Sequence, residues 1–281
     1  MHAPSTIICG VDLSDISARA LSYAVAVATT HNARLYVVQV SEPEAPEPDP
    51  ARLRAFAEPA ASAGVLADVE VRYGSPAREL LGASTDRHAD LLVLGSHGRH
   101  GYERVVLGSV TSRILHTATC PVLVVPPGAP AEPGHEFMTI LCATDFSAAG
   151  NAALTFARVL AGSGAMTTLL LLHVVEWPFG EAVGDDAVSD LRRSLESQGQ
   201  EQLEHLAATL SLVTPAPQVD TVVLAGKPSR EICAMARTRN VDLIALGVTG
   251  RGAIDLAVLG STTHQVVRHA PCAVLTVPLR H

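Results

Sequence analysis

The chain is written twice. Gly74 to Val125 aligns with Gly226 to Val277 at a constant offset of 152, without a gap, and 21 of those 52 positions are identical. Closer to the start the offset is 133, pairing Thr6-Ile7-Ile8-Cys9 with Thr139-Ile140-Leu141-Cys142, Asp12 with Asp145 and Ser14 with Ser147. The second copy therefore holds 19 extra residues between these blocks. A repeat this long restricts the fold to one that a unit of half the chain can build on its own core and then build again. Between the copies runs Pro126-Pro127-Gly128-Ala129-Pro130-Ala131-Glu132-Pro133-Gly134, whose prolines continue neither a helix nor a sheet interior and which reads as a stiff linker. The expected division is residues 1–127, a linker at 128–136, and residues 137–281.

Each copy alternates strand and helix. In the first, Thr6 to Asp12 reads as a strand, and Ser14 can cap a helix whose apolar positions Leu21, Ala24, Val25 and Ala28 fall at helical spacing. Ala33 to Val40 is a second strand, and the acidic, proline-rich Glu42 to Pro50 an exposed loop. After a short helix come Ala67 to Tyr73 as a strand, Ser75 to His88 as a helix and Asp90 to Gly95 as a strand. A last helix starts near Gly108, and Pro121 to Val125 closes the copy. In the second copy the amphipathic stretch from Asp186 to Leu212 absorbs most of the added length. Near-continuous apolar runs such as Leu91-Leu92-Val93-Leu94 and Val122-Leu123-Val124-Val125 suit a parallel sheet covered on both faces. The fold class is thus α/β: two tandem doubly wound domains, each a five-stranded parallel sheet flanked by helices. Such sheets bind ligands beyond the carboxyl ends of the strands at the point where strand order reverses, here just after the first and fourth strands.

Composition removes several function classes. With 48% hydrophobic and 17% charged residues the chain is not disordered. A net charge of −8 without a basic run argues against nucleic acid as a partner. Leu169-Leu170-Leu171-Leu172 is cut short by His173 and Glu176, so no membrane span is expected. Met1-His2-Ala3-Pro4 carries no basic run and Asp12 ends the apolar stretch Ile7 to Val11; the expected compartment is the cytoplasm. Cys9, Cys120, Cys142, Cys233 and Cys272 form no C-x-x-C pair and read as reduced, buried thiols.

At the predicted crevice of the first copy stands Gly95-Ser96-His97-Gly98, then nine residues, then Gly108-Ser109; the second has Gly247-Val248-Thr249-Gly250, nine residues, then Gly260-Ser261. Glycines let the backbone approach an anion, and a helix opening at Gly108-Ser109 offers free amides and a positive dipole end to phosphate. Retention of the glycines for turns alone is the other reading. Asp12 and Asp145 end the first strands, where a carboxylate can accept from a ribose hydroxyl or a base amine; capping the next helix is the alternative.

This spacing, with the strand-end Asp, resembles the universal stress protein family, in particular its tandem members, over nearly the whole chain. The resemblance implies a Rossmann-like, adenine nucleotide alpha hydrolase-like fold and ATP as ligand, with Mg²⁺ carried on its phosphates. It implies a nucleotide site made of Asp12, Val40, Gly95, Gly98, Gly108, Ser109 and Val110 in the first half. The second half gives Asp145, Val174, Gly247, Gly250, Gly260, Ser261 and Thr262. It also implies a stress-response binding and signalling module, whose halves pair as a pseudo-dimer through Pro121–Val125 and Ala273–Val277, with a homodimer as a further form. A slow ATPase or adenylate-transferring enzyme in the same crevice, and a nucleotide-free scaffold, are the alternatives. The two copies differ at Gly10-Val11-Asp12 against Ala143-Thr144-Asp145 and at Ser96-His97 against Val248-Thr249.

Other patterns are weaker. Gly226-Lys227 is followed by Pro228 and does not make a P-loop, and no G-x-G-x-x-G opens a helix after the first strand. His97 and His100 read as solvated loop residues, Arg99 and Arg251 as surface cations, and the twelve histidines show no metal spacing. Glu103 and Asp255 are the carboxylates between the glycines, and as solvated loop residues they predict little or no hydrolysis.

Overall fold

The computed structural model describes residues 2–43, 46–97, 107–131, 133, 137–162, 167–177, 186–211, 217–248 and 259–279. The first half runs β1 (Thr6–Val11), α1 (Asp15–His31), β2 (Arg34–Ser41), α2 (Pro50–Ser62), β3 (Ala67–Tyr73), α3 (Pro76–Asp86), β4 (Leu91–Gly95), α4 (Ser109–Thr117) and β5 (Val122–Val125). The second runs β6 (Thr139–Ala143), α5 (Ala148–Leu160), β7 (Thr168–Glu176), α6 (Asp186–Ser211), β8 (Gln218–Gly226), α7 (Pro228–Thr238), β9 (Leu243–Gly247), α8 (Ser261–His269) and β10 (Ala273–Val277). Each expected strand and helix is present within a residue or two of its sequence boundaries. The added residues of the second copy lengthen α6 to 26 residues, against 13 in α2.

Local chemistry sets the helix starts. The Ser14 hydroxyl accepts from the Ser17 amide and the Ser147 hydroxyl from the Gly150 amide, each satisfying a first-turn donor. Asp49 caps α2 ahead of Pro50, so the exposed loop ends one residue earlier than the sequence suggests.

All ten strands join one sheet, in the order β3-β2-β1-β4-β5-β10-β9-β6-β7-β8. Pairing is parallel within each half and antiparallel where the halves meet, with Leu123 opposite Leu275 and Val124 opposite Val274. Those four side chains are fully buried, so the strands that would be bare apolar edges in a single half protect one another. Leu91 to Leu94 and Ile140 to Cys142 are buried by helices on both faces. At the outer edge, Glu70 takes Arg72 at 2.7 Å and Arg87 at 2.6 Å, and Arg72 also reaches Asp86 at 2.9 Å. Partial burial opposes the Glu70 charge, yet the two guanidiniums hold its carboxyl below the usual range. Charge along that edge discourages pairing with a further strand.

The linker is fastened to the first half. Arg19, on α1, donates from Nη1 to the carbonyls of Pro127 at 2.6 Å and Ala129 at 2.7 Å. Ala129 is buried, and beyond the linker Phe137 stacks on Tyr23 with ring centroids 6.4 Å apart. All five cysteines are buried and unbridged, and burial pushes the Cys142 and Cys272 thiols up to about 12, which leaves them unreactive at neutral pH. Among the described residues no helix is long and apolar enough to cross a membrane.

Candidate functional site

In the first half β1 lies between β2 and β4, and the chain order reverses there; β6, between β7 and β9, is the counterpart. Asp12 follows directly on β1, and Asp145 follows β6 after Thr144. The next residues, Leu13 and Phe146, both have φ of 63°, a left-handed conformation that a large side chain adopts at a cost. The bend turns each carboxylate toward the following helix. Oδ1 of Asp12 accepts from the Ser14 amide at 3.1 Å and from the Ser14 hydroxyl, and Oδ1 of Asp145 accepts from the Ser147 amide at 3.0 Å. Both aspartates therefore brace the turn into the following helix, whose cap is the serine two residues on.

Gly95 and Gly247 end β4 and β9. A Cβ on Gly95 would come within 2.6 Å of Ile16 Cγ2, and one on Gly247 within 2.7 Å of Ala149 and 2.9 Å of the Gly150 nitrogen. These glycines thus admit the first turns of α1 and α5 to the strand ends, a closer packing than any side chain allows.

Gly108 and Gly260 are the N-cap residues of α4 and α8, with φ of −60° and −57°, and as glycines they bring no capping side chain of their own. Each is held from behind: the Gly108 amide donates to the Ser96 carbonyl at 2.9 Å and the Gly260 amide to the Val248 carbonyl at 2.8 Å. Ser109 and Ser261 are exposed, while Val110 and Thr262 are half-buried. Both helix starts therefore present an exposed hydroxyl beside backbone donors, at the positive end of the helix. Val40 and Val174 are half-buried near the carboxyl ends of β2 and β7. Gly98 and Gly250, with Arg99, His100, Glu103, Arg251 and Asp255, lie outside the described residues.

His97 departs from its sequence reading. It is buried, at 8% exposure, and its Nδ1 is 2.7 Å from the Ser96 hydroxyl. Nε2 has no partner, and burial lowers the imidazole's pKa, which favours the neutral ring.

Three features of the site were not singled out in the sequence. The Thr111 hydroxyl donates to the Gly95 carbonyl at 2.8 Å, and Thr263 does the same to Gly247 at 2.9 Å, pinning each helix start to the end of its strand. Their identity at the offset of 152, two positions after the serine, was the available signal. Gln39, on β2 opposite Val11, is buried with its Oε1 unpaired. Its counterpart His173 is paired, with Nδ1 at 2.8 Å from the Thr144 carbonyl and its ring 4.5 Å from that of Phe146.

Helix starts that open on glycine and an unpaired imidazole nitrogen just after the fourth strand fit a ligand that is anionic where it meets α4. A separate cavity of about 1090 Å³ lies elsewhere, at the amino ends of the first half's strands. It is lined by Thr6, Asp90, His88 and Cys120 together with Val248 and Pro278 of the second half, so it is not the switch crevice of the first half. Its Asp90 is a structural anchor: burial opposes ionisation, but the Ser5 amide and hydroxyl, the Thr6 amide and His2 hold the carboxyl below its usual range.

A profile described as the Universal stress protein family matches residues 4–126 and again 136–278. A universal stress protein of Methanocaldococcus jannaschii is 32% identical over 136 residues, covering 42% of this chain and 80% of that protein. One of Mycobacterium bovis is 26% identical over 306 residues, covering 97% of this chain and 99% of its own length. Among solved structures, a universal stress protein from Archaeoglobus fulgidus superposes with a TM-score of 0.66 at 23% identity, over 99% of this chain and 97% of that one. A protein from Pseudomonas aeruginosa UCBPP-PA14 described as a putative universal stress protein gives 0.72 at 17% identity, over 98% and 93%.

Proposed function

Because the chain belongs to the universal stress protein family, with one such domain in each half, we propose that each half binds an adenine nucleotide, ATP in the first instance, and that the protein acts as a binding and signalling module. The observation that carries this reading is the repeated helix start: α4 and α8 both open on a glycine, followed by an exposed serine, and both are tied by a threonine to the end of the preceding strand. First-turn amides at the positive end of a rigidly placed helix favour phosphate oxygens. Ser109 and Ser261 add a hydroxyl donor. Asp12 and Asp145 stand one strand away, where a ribose hydroxyl would follow the phosphates, and the backbones at Val40 and Val174 stand one strand further, toward the base. ATP would bring the negative charge and any Mg²⁺, held through its own phosphates. The chain's residues bind and orient; none of the described ones is assigned to proton transfer.

The test is a melting measurement on protein stripped of small molecules by unfolding and refolding. A ligand that binds only the native state stabilises by RT ln(1 + [L]/Kd), so ATP at about a hundred times Kd should raise the melting temperature by roughly 5 to 10 °C. Gly108→Val combined with Gly260→Val should remove the shift, and its absence in the wild-type chain would refute nucleotide binding.

A further inference from the structure

The cavity of about 1090 Å³ at the amino ends of the first half's strands has a matching place in the second half, and the repeat shows what stands there. Its walls include Thr85, near the end of α3, and Thr117, the last residue of α4. At the offset of 152 these match Arg237 on α7 and His269 on α8. In the second half the Arg237 guanidinium joins the two helix ends: Nη2 donates to the His269 carbonyl at 3.1 Å, and Nη1 to the Cys233 carbonyl, one turn back, at 3.3 Å. The linker approaches the same place, for a Cβ on Gly128 would come within 3.6 Å of the Pro271 carbonyl oxygen and 3.9 Å of that of Ala270. Those two residues match Thr119 and Ala118, which are also walls of the cavity.

The first half replaces only part of this arrangement. The Thr85 hydroxyl donates to the Leu81 carbonyl at 3.1 Å, the counterpart of the bond that Arg237 makes to Cys233 within its own helix. Thr85 is too short to make the second bond, across to the neighbouring helix. His116 stands where the second half has Arg268, so the cavity lacks two guanidiniums that its counterpart carries. Arg87, also in the wall, is taken up by Glu70 at 2.6 Å and lies over the Tyr36 ring at 4.0 Å. What the cavity offers is the carboxyl ends of two helices, each the negative end of a dipole, with the Asp90 carboxylate beside them. Cationic side chains commonly bond the last carbonyls of a helix, as Arg237 does.

We propose that this cavity binds a small alkylguanidinium compound, whose planar fork takes the place that the Arg237 guanidinium holds in the second half. A guanidinium fits better than an ammonium because it presents several donors in fixed directions and can span carbonyls on two helices at once. The site is separate from the nucleotide reading and does not depend on it. It opens beside Val248, whose carbonyl holds the Gly260 amide at 2.8 Å, and so lies on the rim that carries the second half's helix start.

Agmatine is the probe, and putrescine the matched diamine without the fork; both are titrated calorimetrically into the full chain. One agmatine per chain should bind, at least about tenfold more tightly than putrescine. Thr85→Arg, which supplies the guanidinium from the chain as the second half does, should weaken agmatine binding at least about tenfold and leave the ligand-free melting temperature at or above that of the wild type. Equal affinity for the two cations would mean attraction to the chain's net negative charge alone, and unchanged agmatine affinity in Thr85→Arg would put the binding elsewhere; either result overturns the site. Arg280 follows the cavity residue Leu279 in sequence and lies outside the described residues. Agmatine binding in Arg280→Ala but not in the wild-type chain would mean that the chain supplies its own guanidinium, and would overturn a small ligand. Absence of binding in both proteins would refute the proposal while leaving nucleotide binding untouched.

Discussion

Thr111 donates its hydroxyl to the carbonyl of Gly95 at 2.8 Å, so the first turn of α4 is bound to the last residue of β4 across sixteen positions of sequence. The same bond joins Thr263 to Gly247 at 2.9 Å. Thr111→Val with Thr263→Val keeps the shape and leaves two strand-end carbonyls without their donor, at about 1 kcal/mol each. The melting temperature should fall by a few degrees and the ATP-induced shift by at least half, whereas serine at both positions should restore the shift. Equal ATP shifts in the valine and wild-type proteins would show that the bond does not position the helix start for a ligand.

Leu123 and Leu275 face each other across the antiparallel seam with no exposed surface. A lysine at either place buries a cation without a counter-charge, which should cost upward of about 3 kcal/mol. Limited proteolysis of Leu123→Lys and Leu275→Lys should show earlier cleavage at the Pro126 to Gly134 linker. Wild-type cleavage times in both would count against the seam as the principal bond between halves.

Arg19 offers a milder way to loosen the same region. Arg19→Ala removes the two donations to the Pro127 and Ala129 carbonyls, at about 1 to 2 kcal/mol in total. Cleavage at the linker should speed up while the sheet seam, reported by the overall unfolding transition, stays cooperative. A second, separate transition would mean that Arg19 also holds the halves in register.

Burial lowers the pKa of both His31 and His97, so protons bind the unfolded chain more readily than the folded one. The stability linked to these rings is therefore present above pH 6.5, their ordinary value, and is lost as pH falls below it toward the depressed folded values. Melting temperatures measured from pH 7.5 down to 5.5 should decline, and His97→Gln should flatten part of that decline. A profile identical to wild type in His97→Gln would mean that folding leaves the affinity of this ring for protons unchanged.

The architecture was legible because two signals agreed: unbroken apolar runs of strand length, and a second copy that repeated each of them. The site was legible only in outline. Glycine spacing located both helix starts, yet Gly95 and Gly247 turn out to be required by the approach of Ile16 and Ala149, neighbours that no spacing rule reveals. The left-handed backbone at Leu13 and Phe146 was equally hidden, since neither residue favours it and the conformation is imposed by the turn from strand to helix. His97 looked solvated because glycines flank it, but burial depends on what covers the strand end. Gln39 showed only as one polar residue in Val37-Val38-Gln39-Val40; that its oxygen is unpaired is a fact of three-dimensional surroundings.

The antiparallel seam between β5 and β10 sends the strands of the two halves in opposite directions, so their carboxyl ends open on opposite rims of one sheet. Two separate chains meeting through such a seam would be bound to mirror every substitution on both rims and would part on dilution. Fused into one polypeptide, the halves stay together at any concentration, and each rim can drift by itself. Gln39 on one rim and His173 on the other record that drift: a position held by an internal hydrogen bond in one half carries none on its amide oxygen in the other.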